Sequence, residues 1–209
     1  RFGLTGTLDG TQTHRLVLEG LFGKVTQVTT TKELMDDETL AKLDIDCVVL
    51  KHTDEECKRI KKYTYAEELN YIVSHTKRNK FIENLCKTIK GNTLVLFQLV
   101  DKHGVLLHNE IKKLDKKVFF VYGGTTTETR EKIRGIVEKE KDSLIIASYG
   151  TFSTGINIRN INNIVFASPS KSKIRVLQSI GRGLRKMENK SVVRLFDIAD
   201  NASYKSRQN

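Results

Sequence analysis

The clearest pattern of apolar and polar positions lies in the second half of the chain, where short apolar runs alternate with amphipathic stretches. Thr93–Gln98 (TLVLFQ) is apolar from Leu94 to Phe97, as in a strand buried on both faces. Within His103–Leu114, Leu107, Ile111 and Leu114 fall at helical spacing. Lys117–Tyr122 (KVFFVY) is strand-like again and closes on Gly123-Gly124. The stretch TTTETREKIRGIVEKEK offers threonines as N-caps, acids in its first turn and Ile133, Ile136 and Val137 on one face, which predicts a helix. Leu144–Ser148 and Asn163–Ser168 predict two more strands, Lys171–Arg185 a basic helix and Ser191–Asp197 a last strand. Such alternation predicts an α/β fold, a mostly parallel sheet with helices on both faces. Ligands of these sheets gather beyond the carboxyl ends of the strands, so the residues after each strand become candidates.

The first half is less regular. Arg1–Leu8 (RFGLTGTL) reads as a strand running into a polar turn, and His14–Phe22 as a short helix closed by Gly23. Lys24–Thr31 and Ile45–Leu50 are β-rich. Tyr65–Ser74 and Arg78–Lys90 are helical, the second with Phe81, Ile82, Leu85 and Ile89 as a core-facing stripe. Asp54, Glu55 and Glu56 form an acidic cluster suited to a helix N-terminus.

Composition narrows the class. A chain of 209 residues, 38% hydrophobic and 29% charged, suits one globular domain or a domain plus a fragment. No apolar run approaches the ~20 residues of a membrane helix, which argues against a membrane partner. Cys47, Cys57 and Cys86 are widely spaced and contain no C-x-x-C pair, so neither a disulfide framework nor a zinc ribbon is expected. His103 and His108 lack a third clustered ligand and read as surface helix positions. The net charge of +11 is uneven: residues 58–90 hold nine Lys/Arg against three acids, and residues 171–209 ten against three. Either run alone would serve as a solvated face, but two runs beside motif-like segments point to a phosphate backbone.

The most specific segment is QSIGRGLR, residues 178–185. Helical spacing brings Gln178, Arg182 and Arg185 toward one face, and Gly181 is expected to admit a neighbouring backbone. Two guanidiniums on one face suit γ-phosphate oxygens and the charge that develops in phosphoryl transfer. In IIASYGTFSTGINI, residues 145–158, a buried strand opens into small and hydroxyl-bearing residues whose backbone N–H groups suit a phosphate, although ordinary turns use the same residues. VYGGTTTETRE, residues 121–131, places two glycines and three threonines at a helix start, as a phosphate contact or simply a well-capped helix. GLTGTL, residues 3–8, presents Thr5 and Thr7 after a strand, and a plain turn would look alike.

In chain order these four segments, with TLVLFQ, resemble the second motor domain of superfamily 2 helicases, RecA-like ATPases acting on nucleic acid. GLTGTL resembles motif III, with Gly6 where Ala is usual; TLVLFQ resembles motif IV and YGGTTTETRE motif IVa. The segment Gly150–Asn157 resembles motif V and QSIGRGLR motif VI. The resemblance, strongest to bacteriophage recombination helicases, covers most of the chain. It implies a catalytic pair, Arg185 as arginine finger and Arg182 beside it on the γ-phosphate, with Gln178, Gly181, Gly155 and Asn157 around the nucleotide. Many relatives carry Asp where Asn157 stands, which leaves a ribose contact there open. It implies that Gln98, Gly124, Thr125 and Ser148 or Thr151 touch the nucleic-acid backbone, and that Thr5, Gly6 and Thr7 couple the two. Further implications are ATP with Mg2+, a monomer, and action on forked or branched DNA, single strands and RNA–DNA hybrids in the cytoplasm of an infected bacterial host.

A motor of this kind also needs a P-loop, G-x-x-x-x-G-K-[ST], and a DExH-type acidic box, and the chain contains neither. TDEEC, residues 53–57, imitates the box but follows the motif III segment instead of preceding it. The expected organisation is therefore a remnant of a first RecA-like domain at residues 1–24 and a second RecA-like domain at 25–209, with Mg2+ ligands in the first domain. Such a piece alone is expected to be inactive. Two other readings stay open: a non-catalytic RecA-like nucleic-acid-binding domain, and a small-molecule α/β enzyme, the latter disfavoured by the charge and by the absence of G-x-G-x-x-G.

Overall fold

The computed structural model describes residues 2–4, 12–155, 158–170, 173–185 and 191–203. Its strands are β1 (Lys42–Lys51), β2 (Thr93–Phe97), β3 (Lys117–Val121), β4 (Ser143–Ser148), β5 (Asn163–Phe166) and β6 (Val192–Asn201). They form one sheet in the order β1-β6-β5-β2-β4-β3, and every neighbouring pair is parallel. Around it lie α1 (Gln12–Phe22), α2 (Thr31–Asp36), α3 (Asp54–Ile60), α4 (Tyr65–Ser74), α5 (Thr76–Thr88), α6 (Val105–Ile111), α7 (Thr127–Val137), α8 (Tyr149–Gly155) and α9 (Lys173–Gly183). A π turn, Val100–Gly104, leads into α6.

The central strands explain the sequence pattern. β2, β4 and β5 are buried at every position, which only a strand covered on both faces requires. On one face Leu94, Leu96, Ile145 and Ile164 pack with Ile133 and Val137 of α7 and Phe152 of α8. On the other, Val95, Phe97, Leu144 and Ile146 pack with Ile82 and Cys86 of α5 and Leu107 and Ile111 of α6. Each such side chain contributes on the order of 1.5–3 kcal/mol when fully buried. The Phe81, Ile82, Leu85 and Ile89 stripe faces this second core, as its spacing predicts.

Polar residues set the amino-terminal edge of the sheet. Asn92, fully buried, donates to the carbonyls of Val137 and Glu140 and accepts from the backbone and hydroxyl of Ser143. Its own carbonyl takes the N–H groups of Asn162 and Asn163. One residue, by side chain and backbone together, thereby joins the starts of β2, β4 and β5 with every side-chain hydrogen-bonding capacity used.

Several expectations change. Lys24–Thr31 forms no strand: Thr30 is the N-cap of α2, its hydroxyl accepting from Glu33 N–H while Glu33 reaches back to Thr30 N–H. A capping box outweighs the β propensity of a threonine run. Residues 2–4 are not in a strand, and Arg1 and residues 5–8 lie outside the described residues. The last strand runs on to Asn201, because β6 pairs along the whole of β1. Gly23 does end α1, with φ of 86°, the left-handed conformation that glycine adopts without strain.

Candidate functional site

Chain geometry divides the candidate residues between the two ends of the sheet. At the carboxyl ends, Gln98 follows β2 and is exposed, and Ser148 ends β4 with Thr151 one turn into α8. Tyr122–Thr125 follows β3 as a closed turn: Thr125 N–H donates to Tyr122 O at 2.9 Å and Tyr122 N–H to Thr125 Oγ1 at 3.1 Å. Arg130 fastens the turn from α7 by donating to the carbonyls of Tyr122 and Gly123. Gly124 lies flat against the Tyr122 ring, where a Cβ would come within 2.7 Å. Ser148 and Thr151 are buried, and their hydroxyls bond each other at 2.8 Å.

The arginines lie at the other end. α9 follows β5 and runs back along the sheet, so its last turn reaches the start of β1 and β6. There Ala41 N–H donates to Leu184 O at 2.9 Å, and Arg185 forms an antiparallel bridge with Leu40. Arg185 thus stands two residues beyond the helix that carries Gln178 and Arg182, held by the edge of the sheet. This departs from the expectation that ligand residues gather at the carboxyl ends of the strands. Burial, and after it the charge of Arg185, lower the proton affinity of Arg182. Two neighbouring cations favour an anion over a metal ion.

Close approach of α9 to the sheet depends on Gly183, not on Gly181. Gly181 is exposed with open space where a Cβ would stand, whereas a Cβ on Gly183 would meet Ile164 Cδ1 at 2.4 Å. Between the two ends runs α8, which packs against α9. It starts at Tyr149 beside the carboxyl-end residues and ends at Gly155, and by Asn160 the chain has reached Glu140 O at the amino end. Thr5, Gly6, Thr7 and Asn157 lie outside the described residues.

Sequence patterns missed a buried polar group at the carboxyl ends. His103 is fully buried and not a surface position; its Nδ1 lies 2.7 Å from Ser168 Oγ. Burial, and after it the charge of Arg78, push its pKa down to about 3, so the ring is neutral. Arg78 leaves the positive surface altogether: it donates to Asp200 at 2.9 Å and to Ala167 O at 2.6 Å, 2% exposed. His52 donates to the same Asp200 at 3.0 Å, if its Nε2 carries the proton. A histidine within a helical pattern and an arginine within a basic run give no local signal of burial.

Among the described residues, one group has metal-like spacing: the ligand atoms of His52, Glu56 and His75 all lie within 4.8 Å of one another. Hydrogen bonds account for it. His75 Nδ1 accepts from Arg78 N–H, which puts the ring proton on Nε2, facing Glu56 Oε1 at 3.3 Å. Glu56 also accepts from Thr53 N–H and Oγ1 and from Tyr71 OH, and these bonds, Thr53 foremost, pull its pKa down to about 2. With both nitrogens of His75 engaged, the cluster is the capped start of α3 tied to α5. Among the described residues no helix is long and apolar enough to cross a membrane.

Residues 76–187 match the family of the helicase conserved C-terminal domain. The ATP-dependent DNA helicase uvsW of Enterobacteria phage T4 is 38% identical over 210 residues, covering 99% of this chain and 42% of that protein. The putative ATP-dependent helicase IRC3 of Saccharomyces cerevisiae is 26% identical over 177 residues, covering 79% of this chain and 24% of its own length. The crystal structure of T4 UvsW superposes with a TM-score of 0.67 at 36% identity, over 88% of this chain and 36% of that one. The chain thus spans less than half the length of these relatives.

Proposed function

The chain belongs to the helicase conserved C-terminal domain family of superfamily 2, and from that premise we propose that it supplies the arginine half of an ATP-dependent DNA helicase motor. In this reading residues 25–209 are the second RecA-like domain and residues 1–24 the trailing part of the first. The observation that carries it is the Arg182/Arg185 pair at the end of α9, held by the Leu40 bridge. Arg185 acts as the finger that stabilises charge on the transferred phosphoryl group, and Arg182 orients the γ-phosphate oxygens. Gln178, Gly181, Gly155 and Asn157 border the nucleotide. When bound, Mg2+ neutralises the phosphate charge, held by the P-loop domain that this chain lacks.

Gln98, Gly124 and Thr125 track the nucleic-acid backbone together with Ser148 or Thr151, at the junction of β4 and α8. Thr5, Gly6 and Thr7 couple the two sites. α8, about 10 Å long at its seven residues, begins beside Ser148 and packs against α9, which supports it as a route between phosphate chemistry and strand movement. The substrates proposed are forked, branched and single-stranded DNA and RNA–DNA hybrids, remodelled by a monomeric motor during recombination, repair and replication in a phage-infected cell. The test is nucleic-acid-stimulated ATP hydrolysis and branch migration by the full-length protein, alongside residues 1–209 alone. Stimulated hydrolysis only in the full-length protein is the expected result. Hydrolysis by residues 1–209 alone overturns the divided site, and none by either makes the chain a non-catalytic binding domain.

A further inference from the structure

We propose that Ser168, together with His103, is a positioning residue for nucleic-acid engagement, its hydroxyl fixing the path of the chain out of β2 at Gln98. The proposal rests on the reading of Gln98 as a backbone contact. The ladder between β2 and β5 ends where Ala167 N–H donates to Leu96 O at 2.9 Å. The next donor, Gln98 N–H, finds no strand carbonyl and goes to Ser168 Oγ at 3.1 Å. A side chain thus provides one more rung and sets the direction in which exposed Gln98 leaves the sheet.

Ser168 has a single hydroxyl proton, and neutral His103 presents Nδ1 to it at 2.7 Å. The hydroxyl accepts from Gln98, and its bond with His103 Nδ1 runs in the direction set by the ring's tautomer. His103 belongs to the π turn that follows Gln98 at once, a geometry that proteins keep in short pieces and often at functional sites. Gly104 completes the arrangement, since a Cβ there would come within 2.5 Å of the Phe97 ring. The Ser168 carbonyl accepts from Tyr149 OH at 3.1 Å, so the same residue holds the first residue of α8.

Stability alone does not account for this pair. Ser168 is 2% exposed and His103 fully buried, and His103 Nε2 has no hydrogen-bond partner among the described residues. Apolar side chains of matching shape would avoid the desolvation cost of both. What the polar pair adds is direction, at the junction of the two segments assigned to the nucleic-acid track.

The experiment measures ATP hydrolysis by the full-length protein while single-stranded DNA is titrated. Ser168→Ala is expected to raise the DNA concentration for half-maximal stimulation by about tenfold, while kcat at saturating DNA falls less than about threefold. Ser168→Thr, which keeps the hydroxyl, is expected to stay within about twofold of the parent. A role confined to folding would lower kcat through the active fraction and leave half-saturation unmoved, and that outcome overturns the proposal. Should Ser168→Ala not fold, Ser168→Thr is compared with Ser168→Val. These carry the same added methyl and differ in the hydroxyl, so equal half-saturation overturns the proposal and a rise confined to valine supports it. Absence of DNA stimulation in the unsubstituted protein refutes the motor reading itself, a separate result.

Discussion

Arg185 lies close enough to Arg182 for its charge to add to burial in lowering the proton affinity of Arg182. Holding two like charges together costs folding free energy, and an anion placed between them offsets that cost. In the full-length protein, Arg185→Ala should therefore cut DNA-stimulated ATP turnover roughly 10²–10⁴-fold with little change in ATP binding. Turnover measured against nucleotide affinity in the same variant checks this, and unchanged turnover would remove Arg185 from the finger role.

The position of that pair depends on Gly183 meeting Ile164. Gly183→Ala brings a Cβ against Ile164 Cδ1, in a fully buried side chain, and should cost about 1–3 kcal/mol by overpacking. Ile164→Val removes that methyl and alone should cost about 0.5–1.5 kcal/mol. Combined, the two should cost less than their sum, which urea denaturation of all four proteins would show. Strict additivity would mean that α9 yields instead of the core.

His103 predicts how stability depends on acidity. Its folded pKa near 3 lies below its ordinary value of 6.5. Between these values the unfolded chain binds a proton that the folded chain refuses, so stability falls as pH drops through this window. The slope from this one group approaches about 1.4 kcal/mol per pH unit. His103→Asn keeps a hydrogen-bonding partner for Ser168 but does not titrate, and should flatten the curve from pH 6 to 4. An unchanged slope in chemical denaturation would show that the ring is protonated in the fold.

Glu56 acts in a lower window. Its folded pKa of about 2 lies below 4.5, so its contribution is complete above pH 4.5 and lost as pH falls toward 2. Glu56→Ala also removes the reciprocal cap with Thr53 and should cost about 1 kcal/mol near neutral pH. Glu56→Gln keeps the capping geometry without the charge and should fall between, as thermal melts at pH 7 and pH 4 would resolve.

Much of the architecture was legible because central strands and amphipathic helices carry dense local patterns. Tyr65–Ser74 matches α4 at both ends, and TLVLF and KVFFV are strands as read. Local pattern failed where a few polar atoms outweigh propensity, as at Thr30, whose hydroxyl starts a helix in a β-branched run. It failed again at Gly181 and Gly183, two glycines in one motif whose difference lies in Ile164, a residue far away in sequence. The arginine pair was legible as a motif, but its place at the amino end of the sheet was not, because that follows from how far α9 runs back. Ser168 and His103 gave no signal at all, since each acquires its role only when β2 and β5 pair.

The antiparallel bridge from Leu40 to Arg185 has a mechanical meaning. Among the described residues β1 pairs with β6, and the residues entering β1 are bonded directly to the backbone beside Arg185. Pulling on the segment ahead of β1 would be transmitted to the residue before Arg185 through the Ala41–Leu184 peptide hydrogen bond. The segment ahead of β1 and the arginine pair are thereby spliced at one point of the sheet edge, so a shift of one is a shift of the other.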